Sequence, residues 1–158
     1  MAGSTSKKIV AVRFQREPVQ GFVNPPTYQQ DTGIELITSS GAVVTIPYDD
    51  VKAVCFVRDF ETVPVWKENR AFSNRPKMEG LWIRLHFRDG DTMEGLIAND
   101  LLLLEQHGLS VAPPDAGFQN RVFIPRKAVS RIQVMGVVGS PLRRRAKPGA
   151  REQLKMFE

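Results

Sequence analysis

At 158 residues the chain has room for one ordinary domain or two very small ones, and a hydrophobic fraction of 42% with 25% charged residues is the balance of a globular protein. No apolar run approaches the roughly 20 residues that cross a bilayer, Ile9 to Val12 is too short for the apolar core of a signal peptide, and a lone cysteine, Cys55, excludes an internal disulfide framework. The formal charge of +5 belongs to the ends: Lys7 and Lys8 give +2, the segment from Arg143 onward carries six basic against two acidic residues, and the body from Ile9 to Leu142 stands at −1. The expectation from these bounds is a soluble, cytoplasmic protein with no membrane partner.

Met1 to Ser6 is small and polar and reads as a disordered arm. A first unit is expected over residues 7–59. Ile9 to Phe14 reads as a strand with Val10, Val12 and Phe14 on one face. Glu17-Pro18 is expected in the following turn, because proline fixes φ and cannot donate to a central ladder. Val19 to Val23 resumes as a strand through Gly21, and Asn24-Pro25-Pro26 breaks it. Ile34 to Ile37 and Ala42 to Ile46 form a hairpin about Ser39-Ser40-Gly41. After the turn at Pro47 to Asp50, Val51 to Val57 closes the unit.

Residues 60–79 read as a polar linker whose Phe60, Trp66 and Phe72 are expected to pack between the two units, since a free connector has no need of them. The order of elements then repeats over residues 80–140. Leu81 to Phe87 alternates Ile83, Leu85 and Phe87 with Trp82, Arg84 and His86. Asp89-Gly90 tolerates the positive φ of a tight hairpin, and Thr92 to Ile97 returns through Gly95, the counterpart of Gly21. Leu101 to Leu104 is expected as the third strand, Ala112 to Asn120 as a loop, Arg121 to Ile124 as the fourth strand and Ser130 to Val134 as the fifth. Residues 141–158 form a basic tail.

Two stretches carry the repeat: VTIPYDDVKAVCFVRDF at Val44 to Phe60 and VFIPRKAVSRIQVMG at Val122 to Gly136. Aligning Ile46-Pro47 with Ile124-Pro125 sets Val51 opposite Val129 and Val54 opposite Ile132, and the leading strands are expected to superpose with Phe14 on Phe87. A unit of about 50 residues is marginal alone, and closing five short strands into a bent barrel hides their edges around one core. The fold expected is therefore all-β: two tandem five-stranded small barrels from an internal repeat, with a polar linker and disordered tails. Val10, Val12, Phe14, Ile34, Leu36, Val44 and Ile46 are expected to fill the first; Ile83, Leu85, Phe87, Val122 and Ile124 the second.

The second half, LWIRLHFRDGDTMEGLIAND followed by LLLLEQ and VFIPRKAVSRIQVMG, resembles an Sm-like domain; the φ-Pro-x-x-x-φ turn also occurs in SH3-like and PilZ-like small barrels. That resemblance implies RNA binding by the loop between the last two strands, here Arg126 and Lys127. The matching positions of the first half are Tyr48 and Asp49, and Asp49 would repel phosphate. The strand KAVCFVRDF is also similar to uncharacterised bacterial proteins that read close to KAVFFVRDF, a family with no activity attached.

Catalytic chemistry has little footing. His86 and His107 have no neighbouring acid or nucleophile in sequence and read as surface residues, Cys55 reads as a small core residue, and Asp49-Asp50, Asp89 and Asp91 read as turn acids. There is no metal-ligand spacing and no phosphate-cradling glycine loop, so neither a metal nor a cofactor is expected. A cyclic dinucleotide is not an expected ligand, because the Asp/Asn-x-Ser-x-x-Gly signature of the PilZ pocket is missing. The expectation is a non-catalytic binding or adaptor module that associates with itself through barrel edges and with another protein, Phe60, Trp66 and Phe72 being candidate contacts. The alternative is RNA binding through Arg126, Lys127, Arg131 and the run Arg143, Arg144 and Arg145.

Overall fold

The computed structural model describes residues 6–61, 69–114 and 119–139. The arm at 1–5, the central linker at 62–68 with Trp66, and the tail from 140 with Arg143, Arg144 and Arg145 lie outside the described residues. Eleven strands and two short 3-10 turns make up the described chain, so the protein is all-β. The first five strands are β1 (Lys7–Arg13), β2 (Arg16–Val23), β3 (Gly33–Ile37), β4 (Val43–Pro47) and β5 (Val51–Val57); β6 is the two-residue Asn69–Arg70. The second set is β7 (Gly80–Phe87), β8 (Thr92–Ile97), β9 (Gly108–Val111), β10 (Gln119–Pro125) and β11 (Val129–Val138). Among the described residues no helix is long and apolar enough to cross a membrane.

The strands form a seven-stranded sheet, β4-β3-β2-β1-β5-β10-β9, and a four-stranded sheet, β11-β7-β8-β6. Neither closes on itself. Two separately closed barrels are thus not what the pairing shows, yet the repeat itself is written into it. In the first half β5 pairs with β1, β1 with β2, β2 with β3 and β3 with β4, all antiparallel. In the second half β11 pairs with β7, β7 with β8 and β9 with β10, and the step from β8 to β9 is made by Leu96 and Ala112, whose amides and carbonyls exchange bonds of 3.0 and 2.8 Å. Glycines mark the tightest matching points. Gly33 and Gly108 open the third strand opposite Pro47 and Pro125, where an added Cβ would lie 2.1 Å from the Ile46 carbonyl oxygen and 2.2 Å from that of Ile124. Gly21 and Gly95 are likewise equivalent, facing Ile9 and Ile83.

The two halves are joined by β5 and β10, which pair through Val54↔Phe123 and Cys55↔Val122. This seam places buried strands at the centre of the molecule, with a core on each side. One core gathers Ile9, Ala11, Ile34, Leu36, Ile46, Val51 and Val54 and takes Phe123 from the second half. The other gathers Ile83, Leu85, Phe87, Met93, Val122 and Ile124 and takes Ala53 and Cys55, with Val12 and Phe14 packed on it, from the first. The runs VKAVCFV and VFI are apolar on both faces for this reason.

Three expectations need correction. Val12 and Phe14 point at the second core, not at their own; Ile9 and Ala11 face the first, and Arg13 rather than Phe14 corresponds to Phe87, since Arg13 pairs with Val51 as Phe87 pairs with Val129. Leu101 to Leu104 is no strand. The Asp100 carboxylate accepts from the Leu102 amide at 3.0 Å and closes a 3-10 turn at Leu101–Leu103, and the third strand is Gly108–Val111. Pro18 sits within β2, at the irregularity between the pairs Ala11↔Val19 and Arg13↔Arg16, where its missing N–H breaks no ladder bond; the turn falls instead at Phe14-Gln15, with Gln15 at φ 57°.

Candidate binding surfaces

Pro125 ends β10, and the next three residues, Arg126 to Ala128, make one 3-10 turn held by the Arg126 amide donating to the His107 carbonyl at 2.9 Å. Ala128 is buried, which turns Arg126 and Lys127 outward, and Arg131 follows on β11 as an exposed residue. Lys127 Nζ lies 3.2 Å from Asp49 Oδ1, the carboxylate at the corresponding position of the first half. Both side chains are mostly solvated, so the pair adds little to stability, but it sets an acid beside the basic turn. Arg88 joins this cluster: its guanidinium lies 4.0 Å over the Phe14 ring and donates to the Asp49 carbonyl.

A stronger electrostatic feature lies beneath. Lys52 of β5, its side chain only 6% exposed, donates to Asp89 at 2.7 Å and to Asp91, the two acids of the second-half hairpin, and stands 5.1 Å from the centroid of Phe87. Burial pushes the Asp89 carboxyl upward, but the Lys52 hydrogen bond and the Asp91 backbone amide outweigh it and hold Asp89 below its ordinary value. Sequence reading gave these acids a turn role alone; a lysine 37 residues upstream offers no local signal. The clamp pins the first half to the second.

The histidines are engaged more than their sequence surroundings suggest. His107 stacks on Tyr48 with ring centroids 5.0 Å apart, and its Nε2 lies 3.4 Å from Asp31. Tyr48 donates to the Gln30 carbonyl at 2.6 Å, and burial followed by the Asp31 charge pushes its phenol up to about 12. His86 Nε2 is 2.7 Å from the Gln133 side-chain oxygen. Burial pushes the Cys55 thiol up to about 12, so it is protonated at neutral pH. Among the described residues no three His, Cys, Asp or Glu side chains converge as metal ligands.

Phe60 packs edge-on against Phe22, with centroids 5.5 Å apart, and Phe72 against Trp82 at 6.4 Å. Each thus covers its own half, and the two do not share a seam. Phe72 is seated by Glu94, a buried carboxylate that accepts from Trp82 Nε1 at 2.9 Å and pairs with Arg84 at 2.9 Å.

The exposed large apolar side chains fall in two places among the described residues. One is a pair of edge strands, one from each sheet: Val43 on β4 with Ile37 beside it on β3, and Ile132, Val134, Met135 and Val137 on β11. The other is Leu101 to Leu104 with Met78, around a cleft of about 420 Å³ that Leu103, Leu104, Leu109, Glu79 and Asp100 help to line. Contiguous exposed apolar surface of this kind marks interaction sites on soluble proteins. The first place is visible in the sequence only once strand order is known, and the second is not evident when Leu101 to Leu104 is taken as the third strand.

Open sheets that are antiparallel save for the short β6·β8 pair, a five-strand order used twice, and exposed apolar edges define an all-β protein built from a repeated unit. The chain belongs to a family of unknown function, DUF6982, whose model matches residues 5–136. No curated protein and no solved structure matches the chain. The basic run at Arg143 to Arg145 lies beyond the span that the family model covers.

Proposed function

We propose that the protein is a non-catalytic binding or adaptor module of the cytoplasm, a relative of tandem Sm-like or SH3-like small barrels, that associates with itself through sheet edges and with another protein through its leucine cleft. The barrel kinship is supported by the strand order fifth-first-second-third-fourth in both halves. The observation that carries the functional reading is the clustering of the large exposed apolar residues of the described chain on the edge strands β4 and β11, with Ile37 beside β4, and at the Leu101–Leu104 turn with Met78. Molar mass by light scattering across a concentration series tests the first part: mass rising above that of one chain supports it, and a monomer at every concentration rejects it. A pull-down that retains a protein after nuclease treatment tests the second; loss of all captured protein under nuclease rejects it.

RNA binding is the second reading, favoured by the outward placement of Arg126 and Lys127 on one turn with Arg131 on the strand that follows. Labelled RNA titrated at several salt concentrations decides it. Binding that weakens steeply with salt supports phosphate contacts, and absence of binding at low salt removes the reading.

A further inference from the structure

The seam inside the chain specifies which edges two copies would use. It joins the outer edge of β5, the fifth strand of the first half, to that of β10, the fourth strand of the second, with Val54 opposite Phe123 and Cys55 opposite Val122. Their counterparts are β11 and β4. Val54 faces Ala11 on β1 as Ile132 faces Leu85 on β7, and Cys55 faces Val10 as Gln133 faces Arg84, so β11 is β5 moved on by 78 residues. The same shift carries β4 onto β10, because Ile46-Pro47 and Ile124-Pro125 oppose Ile34-Gly33 and Leu109-Gly108. Each of β4 and β11 has a neighbouring strand on one side only among the described residues.

Resting on the self-association reading above, we propose that β4 of one copy pairs antiparallel with β11 of a second copy and repeats the internal seam between molecules. The register follows from the shift: Val44 opposite Gln133 and Thr45 opposite Ile132. Val43 and Val134 are the counterparts of Arg121 and Phe56, which lie next to the irregularity of the seam and meet with the Arg121 guanidinium 5.5 Å from the Phe56 ring. Two of the most exposed apolar side chains on the two edges, Val43 at 65% and Val134 at 64%, are thereby brought together, and Ile132 at 48% gains Thr45 as its neighbour where the wholly buried Val54 has the larger Phe123. Unpaired strand edges are templates for such pairing, and side chains directly opposite lie within about 5.5 Å at Cβ. The other face of the seam differs. Where Val12, Phe14, Ala53 and Cys55 meet the second core inside the chain, the corresponding positions hold His86, Arg88, Arg131 and Gln133. The contact between copies is therefore weaker than the internal one and depends on concentration. Because the two edges are different surfaces, it is heterologous, and copies either close into a ring or run on as a filament.

The test mixes two single variants of the full chain, Val43→Cys and Val134→Cys, under mild oxidation; both positions are solvent-exposed, and the native Cys55 is buried. Disulfide-linked dimers are expected from the mixture and not from either variant alone, since opposed strand positions fall within the Cα reach of a disulfide. If light scattering gives a multimer while the mixture cross-links no better than the separate variants, the β4·β11 assignment is overturned and self-association stands. If the chain is a monomer at the concentration used, both fall. A Val134→Asp variant gives a second reading: its mass shifts toward the monomer if the register is right, and stays unchanged if it is not.

Discussion

β5 and β11 hold the same place in the two halves and carry matching backbone partners, yet they live in opposite surroundings. β5 is covered on both faces and both edges, with Val54 and Cys55 buried, while β11 shows Ile132, Val134 and Val137 to solvent. The sequences carry part of this contrast: VKAVCFV is apolar at every position but Lys52, whereas VSRIQVM is interrupted by Ser130, Arg131 and Gln133. The rest comes from the neighbour: β10 lies along β5, and its Phe123 fills the first core. Local pattern thus makes the strand, and the seam decides which strand becomes interior.

The largest effect should come from breaking that seam. Phe123→Ala removes a fully buried ring and is expected to lower unfolding stability by about 3–5 kcal/mol, read from urea denaturation. Thr45→Ala, at the corresponding position on the open edge, is expected to stay within about 0.5 kcal/mol of the parent. Equal costs at the two sites would mean that β10 and β4 are not in different environments.

Next comes the clamp that ties β5 to the second-half hairpin. Lys52→Ala leaves Asp89 and Asp91 facing each other without their cation, and the expected loss is on the order of 2 kcal/mol. That is less than the roughly 3–5 kcal/mol of a fully buried pair, because the Asp89 side chain is 37% exposed. The clamp also has a pH signature. Asp89 is held below its ordinary value, so its contribution is complete above the usual carboxylate range near pH 4 and disappears as pH falls through its lower folded value. The parent should lose stability over that acid interval more steeply than Lys52→Ala; identical acid slopes would show that the hairpin carboxylate gains nothing from the lysine.

Much of this architecture was legible. The Ile-Pro stops, the Asp89-Gly90 hairpin, the equivalence of Gly21 with Gly95 and the alignment of Val54 with Ile132 all rest on local rules, and the pairing reproduces them. The misreadings have two causes, one in how the halves dock and one local. Val12 and Phe14 alternate as core residues do, but alternation does not say whose core they enter. The four leucines at 101–104 looked like a strand because they are apolar, whereas Asp100 accepting from the Leu102 amide commits the chain to a turn. The basic turn at Arg126 was findable, but its acidic neighbour Asp49 was not, since the two meet only when the halves dock.

A second pair of variants probes what the halves share. An alanine Cβ at Gly33 or Gly108 would meet a carbonyl oxygen of the fourth strand at 2.1 or 2.2 Å, so each strand has to move away from its partner. Gly33→Ala and Gly108→Ala are expected to cost about 1–3 kcal/mol each, in the range of forced overpacking. Thermal denaturation of both variants checks this. A large cost at one position and none at the other would show that the two third strands are not equivalent after all.

The smallest effect on folding belongs to the leucine turn between β8 and β9. Leu102 is 93% exposed and its side chain covers no core, so Leu102→Lys should leave stability within about 0.5 kcal/mol of the parent. Its consequence lies elsewhere: a charge on the exposed turn next to Leu103, which lines the cleft, costs a docking partner apolar contact and adds a cation to desolvate. The expected outcome is an unchanged melting curve with reduced recovery of the nuclease-resistant partner in a pull-down. Because β4 and β11 are untouched, the light-scattering mass should not move. Separate responses of mass and capture would make edges and cleft two independent surfaces; a joint loss would place the leucines inside the contact between copies.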